Sequence, residues 1–310
     1  VSKTFSTARG QLQAVERVSF AIKAGEAFGL VGESGSGKST IGRLALGLIA
    51  PSAGDVRFSG QSILGKSDRA LKPFRRQAQM VFQDPYSSLN PRLRVKEIIG
   101  EALDAHGLAQ DRRDARIAEL LDMVGLNAAH AQRYPHEFSG GQRQRIGIAR
   151  ALAVEPKLLI ADEPVSALDV SVQAQIITLL QDLRRHLGLS LLFISHDLEI
   201  VEMLCERVAV LYLGRVMETG STHEVMQTPR HPYSHALLAA VPKADPAAPR
   251  LRRLVSGDIP SPLDPPSGCV FRTRCFHAQP ACAQNRPALL PEGADWQSAC
   301  LRDPLPLQDL

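Results

Sequence analysis

Short apolar runs alternate with amphipathic segments over the first 228 residues of the chain. The apolar residues 27–31 lead into a glycine-rich turn, and a helical pattern follows that turn. One face of this predicted helix holds Ile41, Leu44, Ala45, Leu48 and Ile49. Two later apolar runs, within residues 157–164 and 189–195, also read as buried strands. Strands that alternate with helices favour a mostly parallel sheet, so the pattern predicts an α/β fold.

The pattern changes in the last quarter of the chain. Residues 229–310 hold 14 of the 21 prolines and four of the five cysteines, and they show few helix or strand signals. We therefore place a domain boundary between Thr228 and Pro229. The C-terminal part is predicted to be a proline- and cysteine-rich extension of the α/β domain.

Composition narrows the class of protein. With 44% hydrophobic and 22% charged residues, the chain can form a core and does not resemble a disordered protein. The net charge of +4 is too small and too scattered to indicate nucleic-acid binding. We find no apolar run of about 18 residues and no leader pattern; because residue 1 is Val, a trimmed leader and missing first residues both stay open. The expectation is a soluble, cytoplasmic protein.

The glycine-rich turn matches the phosphate-binding pattern G-x-x-x-x-G-K-[ST]. In such a loop, backbone N–H groups point inward at phosphate oxygens, and the N-terminus of the next helix adds positive potential. Lys38 is expected to reach the β- and γ-phosphates of ATP, and the Ser39 hydroxyl to bind Mg²⁺. The predicted phosphate loop consists of Gly32, Glu33, Ser34, Gly35, Ser36, Gly37, Lys38, Ser39 and Thr40.

Polar side chains follow three of the predicted strands, at the strand ends where ligands bind in open α/β sheets. Asp162 is a candidate to hold Mg²⁺ through water, and Glu163 to orient and deprotonate the water that attacks ATP. His196 is a candidate to bond the γ-phosphate. Gln83 is a candidate to contact the metal and the water, although a Gln in a loop is also ordinary.

A second glycine turn lies about a hundred residues after the first, in the sequence FSGGQ. It contains Ser139, Gly140, Gly141 and Gln142 and opens a helical segment. The Ser hydroxyl can cap that helix, and the hydroxyl and amide groups can also donate to a phosphate. A purely structural cap within the chain is the alternative.

Five elements stand in one order: GESGSGKST, VFQDP, FSGGQRQRIGIARAL, LLIADEP with SALD after it, and ISHD. In this combination, residues 5–228 resemble the ATP-binding subunit of an ABC transporter. The resemblance implies a P-loop NTPase (RecA-like) core with antiparallel β and α-helical subdomains in residues 1–228. The helical subdomain covers about residues 84–155 and includes an amphipathic helix whose apolar face holds Ile117, Leu120, Leu121 and Val124.

The resemblance also gives the second glycine turn a role. In this family two ATPase subunits dimerise head to tail, and each ATP lies between the phosphate loop of one subunit and the Ser-Gly-Gly turn of the other. By the same resemblance Asp169 would brace the facing phosphate loop, and Phe5 would stack on adenine. Phe5 could equally belong to the core.

The segments QDPYSSLNPR and HPYSHALLAAVP are similar to the oligopeptide/dipeptide importer branch. This implies a peripheral subunit at the cytoplasmic face of the inner membrane, with two permease subunits, a second ATPase and, indirectly, an extracytoplasmic substrate-binding protein. The second ATPase can be identical or a related chain. Peptides are the favoured cargo; nickel, glutathione and other small solutes are alternatives within the branch.

Four cysteines, spaced by five, six and 17 residues, lie in the extension: Cys269, Cys275, Cys282 and Cys300. Disulfides are not expected in a cytosolic ATPase, and the short C-x₂₋₄-C spacing typical of zinc sites is absent. Spacing alone leaves an iron–sulfur cluster, zinc and no metal open. The importer branch implies a [4Fe–4S] cluster. Cys205 reads as a buried apolar residue within a helix.

Two other classes of protein compete with the importer. Soluble ABC ATPases that act on DNA or ribosomes usually carry two cassettes, a long coiled coil or a zinc-hook insertion, and this sequence shows none of them. P-loop kinases and GTPases lack the Ser-Gly-Gly signature. The sequence therefore favours an ATP-hydrolysing transport subunit that binds no nucleic acid.

Overall fold

The computed structural model describes residues 1–240, 257–291 and 293–302 of the 310-residue chain. Parts of the predicted extension, including Val241 and Pro242 of the HPYSHALLAAVP segment, lie outside these ranges. In chain order, the strands are β1 (Lys3–Thr7), β2 (Gly10–Val15), β3 (Ala27–Val31), β4 (Arg57–Phe58), β5 (Gln61–Ser62), β6 (Ala78–Val81), β7 (Leu158–Asp162), β8 (Ser190–Ser195), β9 (Arg207–Tyr212), β10 (Arg215–Ser221) and β11 (Gln297–Ser298).

Helices connect most of these strands. They are α1 (Lys38–Ala45), α2 (Asp68–Gln77), α3 (Pro85–Ser88), α4 (Val95–His106), α5 (Arg113–Met123), α6 (Gly140–Leu152), α7 (Val170–Leu187), α8 (Leu198–Leu204), α9 (Thr222–Gln227), α10 (Pro232–Ala239) and α11 (Pro280–Gln284). Short 3₁₀ helices cover Gln110–Arg112, Ala128–Gln132 and Pro135–Glu137. The mixed α/β class predicted from the sequence is confirmed.

The chain forms two compact units. The first unit contains Val1–Ala21, Phe28–Val56 and the described residues from Ser195 onward, and the second contains Ile22–Ala27 and Arg57–Ile194. The described part of the extension therefore groups with the glycine-rich turn that follows β3. The boundary placed between residues 228 and 229 stays a prediction, because this grouping follows contacts and not chain order.

In the first unit, β3 runs parallel to β9, β9 pairs antiparallel with β10, and β10 pairs antiparallel with β11. All five residues of β3 are buried, as expected for a strand covered on both faces. β1 and β2 form a separate antiparallel hairpin. The described sheet of this unit thus carries an antiparallel edge beside its parallel pair.

Helix α1 is shorter than the sequence pattern predicted. It ends at Ala45, the N–H of Gly47 donates to Leu44 O at 3.0 Å, and the N–H of Leu48 donates to Arg43 O at 2.9 Å. These bonds close the C-terminus of a helix around a left-handed residue, here Gly47 with φ 64°. The predicted continuation of this helix through Leu48 and Ile49 was wrong, because the chain turns at Gly47 and leaves the Leu48 side chain 51% exposed.

In the second unit, β6, β7 and β8 form a parallel sheet in the order β8-β7-β6. Helix α6 is central to this unit, with nine of its thirteen residues buried, and it packs against α4, α5 and α7. The apolar face predicted for the α5 region is confirmed, since its four residues are at most 1% exposed. This packing fixes the N-terminus of α6, which carries the FSGGQ turn.

A buried carboxylate ties the extension to the sheet of the first unit. Glu218 on β10 is fully buried and accepts hydrogen bonds from the backbone N–H of Arg230 (2.9 Å) and His231 (3.0 Å) and from Nε1 of Trp296 (2.8 Å). Burial raises the pKa of Glu218, while these donors act in the opposite direction. One side chain thereby anchors both the turn before α10 and the segment before β11.

We expect Glu218→Ala to lower the free energy of unfolding by on the order of 3 kcal/mol, because it leaves three donors without their acceptor. Urea unfolding of the full chain measures this change. The control is Glu199→Ala, an exposed carboxylate in the same unit, which should change stability by less than about 0.5 kcal/mol. Equal effects of the two substitutions would contradict the anchoring role.

Candidate nucleotide-binding site

The glycine-rich turn between β3 and α1 is shaped by close backbone contacts. A Cβ on Gly32 would lie 2.2 Å from the carbonyl oxygen of Leu211, and a Cβ on Gly37 would lie 2.4 Å from that of Ala14. Gly37 also has φ 100°, a conformation that L side chains rarely adopt. Only glycine fits at these two positions, so the loop curls as phosphate binding requires.

Two polar side chains of the turn are arranged for an anion. The Lys38 ammonium is buried and donates to the carbonyl oxygens of Gly32 at 2.7 Å and Glu33 at 3.0 Å. Ser36 Oγ is also buried, and it has no hydrogen-bond partner among the described residues. A buried hydroxyl normally has a partner, and a phosphate oxygen would supply one here. The turn therefore fits a phosphate group.

Glu33, inside this turn, has partners that sequence reasoning missed. Its carboxylate pairs with the guanidinium of Arg274, and its backbone N–H donates to the Tyr233 hydroxyl at 3.0 Å. Arg274 is 241 residues away in the chain, so no local pattern could have indicated the pair. In the sequence, the one feature that drew attention to Arg274 was its position directly before Cys275.

In the second unit, two acidic residues lie at the carboxyl end of β7. Asp162 is 4% exposed at the strand end, and Glu163 follows it with φ 45°. Left-handed backbone costs a non-glycine residue on the order of 1 kcal/mol or more and concentrates at functional sites. The N–H of Glu163 donates to Ile194 O at 2.9 Å and holds this conformation.

The structure brings Gln83 and Glu163 together. Gln83 follows β6 in the chain, and its Nε2 donates to Glu163 Oε2 at 2.9 Å. The bond uses Gln83 Nε2, so the Oε1 atom of Gln83 takes no part in it. A carboxylate fixed by an amide in this way can bind a water molecule in a defined direction.

The FSGGQ turn forms a capping box on α6. The N–H of Gln142 donates to Ser139 Oγ at 3.3 Å, and the N–H of Ser139 donates to Gln142 Oε1 at 3.1 Å. Behind the turn, a Cβ on Gly141 would lie 2.3 Å from Val172 Cγ1. The structural cap is therefore real, but the Ser139 hydroxyl only accepts in it, so its own proton can still be donated.

The remaining predicted residues occupy exposed or partly exposed positions. His196 follows β8 and is exposed, and Asp169 is the exposed residue before α7. Phe5 on β1 is partly exposed, and the Lys3 ammonium lies 5.0 Å from its ring centroid. The phosphate loop, Phe5 and His196 belong to the first unit, and the other predicted residues of the nucleotide site belong to the second. Their roles stay predictions.

The donor set predicted for Mg²⁺ consists of a hydroxyl, a carboxylate and an amide oxygen, from Ser39, Asp162 and Gln83. Oxygen ligands of these types suit Mg²⁺. Gln83 donates through its nitrogen, which is compatible with metal binding through its oxygen. The chemistry of the residues fits the ion.

The four cysteines of the extension line one small cavity of about 20 Å³, together with His231 and His277. All are free thiols, and burial raises the pKa of Cys275 to about 12 and that of Cys269 above its usual value. Within the described ranges, however, no three His, Cys, Asp or Glu side chains are arranged to hold a metal ion. The donor types suit zinc or an iron–sulfur cluster, but the arrangement does not yet form a site for either.

Cys205 is buried at 7% exposure, as predicted. Its assignment to the middle of a helix was wrong, because α8 ends at Leu204 and Cys205 already has extended backbone.

None of the helices in the described ranges is long and apolar enough to span a bilayer.

Two family models match the chain. The ABC transporter model matches residues 15–166, and the model of the oligopeptide/dipeptide transporter C-terminal region matches residues 217–282. Among solved structures, the dimeric bacterial ABC transporter cassette MJ0796 is 31% identical with a TM-score of 0.65, covering 72% of this chain and 96% of that one. A form of the same cassette bound to ADP and phosphate gives the same values.

Curated relatives match over nearly the whole length. A putative peptide import ATP-binding protein of Brucella ovis is 52% identical, covering 98% of this chain and 96% of the relative. The oligopeptide transport ATP-binding proteins AppF of Bacillus subtilis and OppF of Haemophilus influenzae are 50% and 49% identical, covering 92% and 94% of this chain and 88% and 89% of their own. The chain belongs to the family of ABC transporter ATP-binding proteins, in its oligopeptide/dipeptide transporter branch.

Proposed function

We propose that this chain is the ATP-hydrolysing, energy-coupling subunit of an ABC importer for di- or oligopeptides. The observation that carries the hydrolytic role is the bond from Gln83 to Glu163, which fixes a carboxylate directly after the buried Asp162. The transport role is supported by relatives named peptide import and oligopeptide transport ATP-binding proteins, which match over nearly the full chain.

Hydrolysis in this proposal is an in-line displacement at the γ-phosphorus. Lys38 and the loop amides bind the phosphates, and Glu163 orients a water molecule and accepts its proton. The water oxygen forms a bond to the γ-phosphorus while the bond to the β–γ bridging oxygen breaks, giving ADP and phosphate. Mg²⁺ bound by Ser39, Asp162 and Gln83 would neutralise charge on the phosphate oxygens.

The FSGGQ turn is proposed to act on the ATP of a second ATPase subunit. Ser139 is exposed, and its hydroxyl proton is not used in the capping box. The N-terminus of α6 adds a positive potential that favours an anion. His196 and Asp169 are proposed to contact the γ-phosphate and the facing phosphate loop, and Phe5 to stack on adenine.

The partners follow from this role. We propose two membrane-spanning permease subunits and a second ATPase, identical or related, with the chain bound peripherally at the cytoplasmic face of the membrane. An extracytoplasmic binding protein would select the cargo. Nickel, glutathione or another small solute is the alternative cargo.

For the extension we propose that the four thiols bind a [4Fe–4S] cluster. Support comes from the shared cavity that these cysteines line. The cavity of about 20 Å³ holds roughly one water molecule, which is less space than a cluster occupies. Zinc is the alternative occupant.

We expect Glu163→Gln to lower kcat for ATP by about a hundredfold or more, because the amide cannot accept the proton of the water. The Kd for ATP should stay within about threefold. The control is Glu155→Gln, which changes another Glu with left-handed backbone in the same unit, paired with Arg116. Near-normal steady-state hydrolysis by Glu163→Gln would remove that residue from the role.

We expect the tagged full chain, purified in detergent from its own host, to retain two multi-span permeases and a second ATPase. Native mass analysis of the complex measures this composition. Co-purification with nucleic acid or ribosomal proteins, and without membrane proteins, would contradict the importer assignment and favour a soluble ABC ATPase.

We expect anaerobically purified chain to contain iron and acid-labile sulfide in equal amounts and to absorb visible light. Cys282→Ser should lose most of the iron, whereas Cys205→Ala, outside the group of four, should keep it. Zinc in place of iron would establish the alternative occupant, and a metal-free chain would refute both.

A further inference from the structure

Arg274 of the extension makes a bidentate ion pair with Glu33 of the phosphate loop. Its NH1 atom lies 2.6 Å from Glu33 Oε2, and its NH2 atom lies 3.0 Å from Glu33 Oε1. The Arg274 side chain is only 8% exposed, and that of Glu33 is 28% exposed. Paired, poorly hydrated bonds of this geometry fix orientation better than a single surface contact does.

Glu33 is held at three points. Besides the ion pair, its N–H donates to the Tyr233 hydroxyl at 3.0 Å, and its carbonyl oxygen accepts from the Lys38 ammonium at 3.0 Å. A displacement of Glu33 therefore displaces the partner of the lysine that is proposed to bind phosphate. The chain of contacts from Arg274 through Glu33 to Lys38 is continuous.

Arg274 itself packs against an aromatic side chain. Its guanidinium carbon lies 5.7 Å from the ring centroid of Tyr212, and NH1 contacts the Tyr212 hydroxyl at 3.4 Å. Tyr212, Tyr233 and Phe271 form a buried aromatic cluster with ring centroids 4.8–5.3 Å apart. Tyr233 belongs to this cluster, and Arg274 contacts it through Tyr212. The same buried cluster within the first unit therefore positions both residues that hold Glu33.

The charge of Arg274 also matters. Without it, the Glu33 carboxylate would present an uncompensated negative charge inside a loop that must attract the negative phosphates of ATP. With it, the loop keeps a carboxylate that fixes its shape and does not repel the ligand. The ion pair of Arg274 with Glu33 therefore fixes the shape of the phosphate loop and also neutralises the negative charge of Glu33.

We propose that Arg274 is a positioning residue for nucleotide binding, which acts through Glu33 to hold the phosphate loop in its binding shape. The inference rests on the proposed ATP-binding function. It makes the affinity for ATP depend on the C-terminal extension, although Arg274 touches no nucleotide itself.

The test measures the Kd for MgATP by calorimetry and the KM and kcat for hydrolysis, with full-length variants. We expect Arg274→Met to raise Kd and KM by on the order of tenfold, with kcat at saturating ATP within about threefold. Arg274→Lys keeps the positive charge but cannot make the bidentate pair, so it should raise Kd and KM by an intermediate amount. It also keeps the test valid if Arg274→Met does not fold.

Two further variants separate positioning from general stabilisation. In Glu33→Gln/Arg274→Met, Kd should be lower than in Arg274→Met alone, because no uncompensated carboxylate remains. The matched control is Arg286→Met, which removes another arginine of the extension, paired with Glu16 at 3.0 Å. Glu16 lies outside the phosphate loop, so the Kd of this control should not change.

A Kd within twofold of wild type in folded Arg274→Met, or equal increases in Arg274→Met and Arg286→Met, would overturn the inference. So would a Kd of Glu33→Gln/Arg274→Met that is no lower than the Kd of Arg274→Met. None of these outcomes bears on Glu163 or on the permeases, so the importer assignment would survive them. If the wild-type chain binds no ATP, the proposed function fails and this inference fails with it.

Discussion

The close approach of backbone to backbone around the phosphate loop is the constraint on which the first unit depends. Carbonyl oxygens of Leu211 and Ala14 occupy the space that side chains on Gly32 and Gly37 would need. Backbone atoms of β9 and β2 therefore fix the shape of the loop. The N–H of Gly214 adds a hydrogen bond to Ser36 O at 2.9 Å. A loop shaped by its surroundings before ligand binding loses little conformational entropy when phosphate arrives.

Residues of the C-terminal extension also hold the phosphate loop in place. Glu218 anchors the turn before the helix that carries Tyr233, and Tyr233 and Arg274 in turn hold Glu33. Buried carboxylates are costly unless donors surround them, and Glu218 has donors from two separate segments. The described part of the extension is thus built into the support of the nucleotide site.

Local sequence patterns predicted which residue types the site contains, and the roles of those residues stay predictions. The phosphate loop follows β3, and Asp162 and Glu163 lie at the end of β7, where the apolar runs of the sequence stop. The fold class followed from the same alternation of strands and helices. The end of α1 was missed because Gly47 looked like a tolerated helical glycine, yet it adopts a left-handed conformation. The ion pair of Arg274 with Glu33 was missed because no periodicity links residues 241 positions apart.

The phosphate loop is already shaped and braced before ATP binds. The most direct test is an experimental structure of the full chain with MgATP. We expect the Lys38 ammonium to leave the carbonyl oxygens of Gly32 and Glu33 for the phosphates, Ser36 Oγ to gain a partner, and the pair of Arg274 with Glu33 to persist unchanged. A nucleotide bound away from this loop, or a loop that reshapes and breaks the Arg274 pair on binding, would contradict the account.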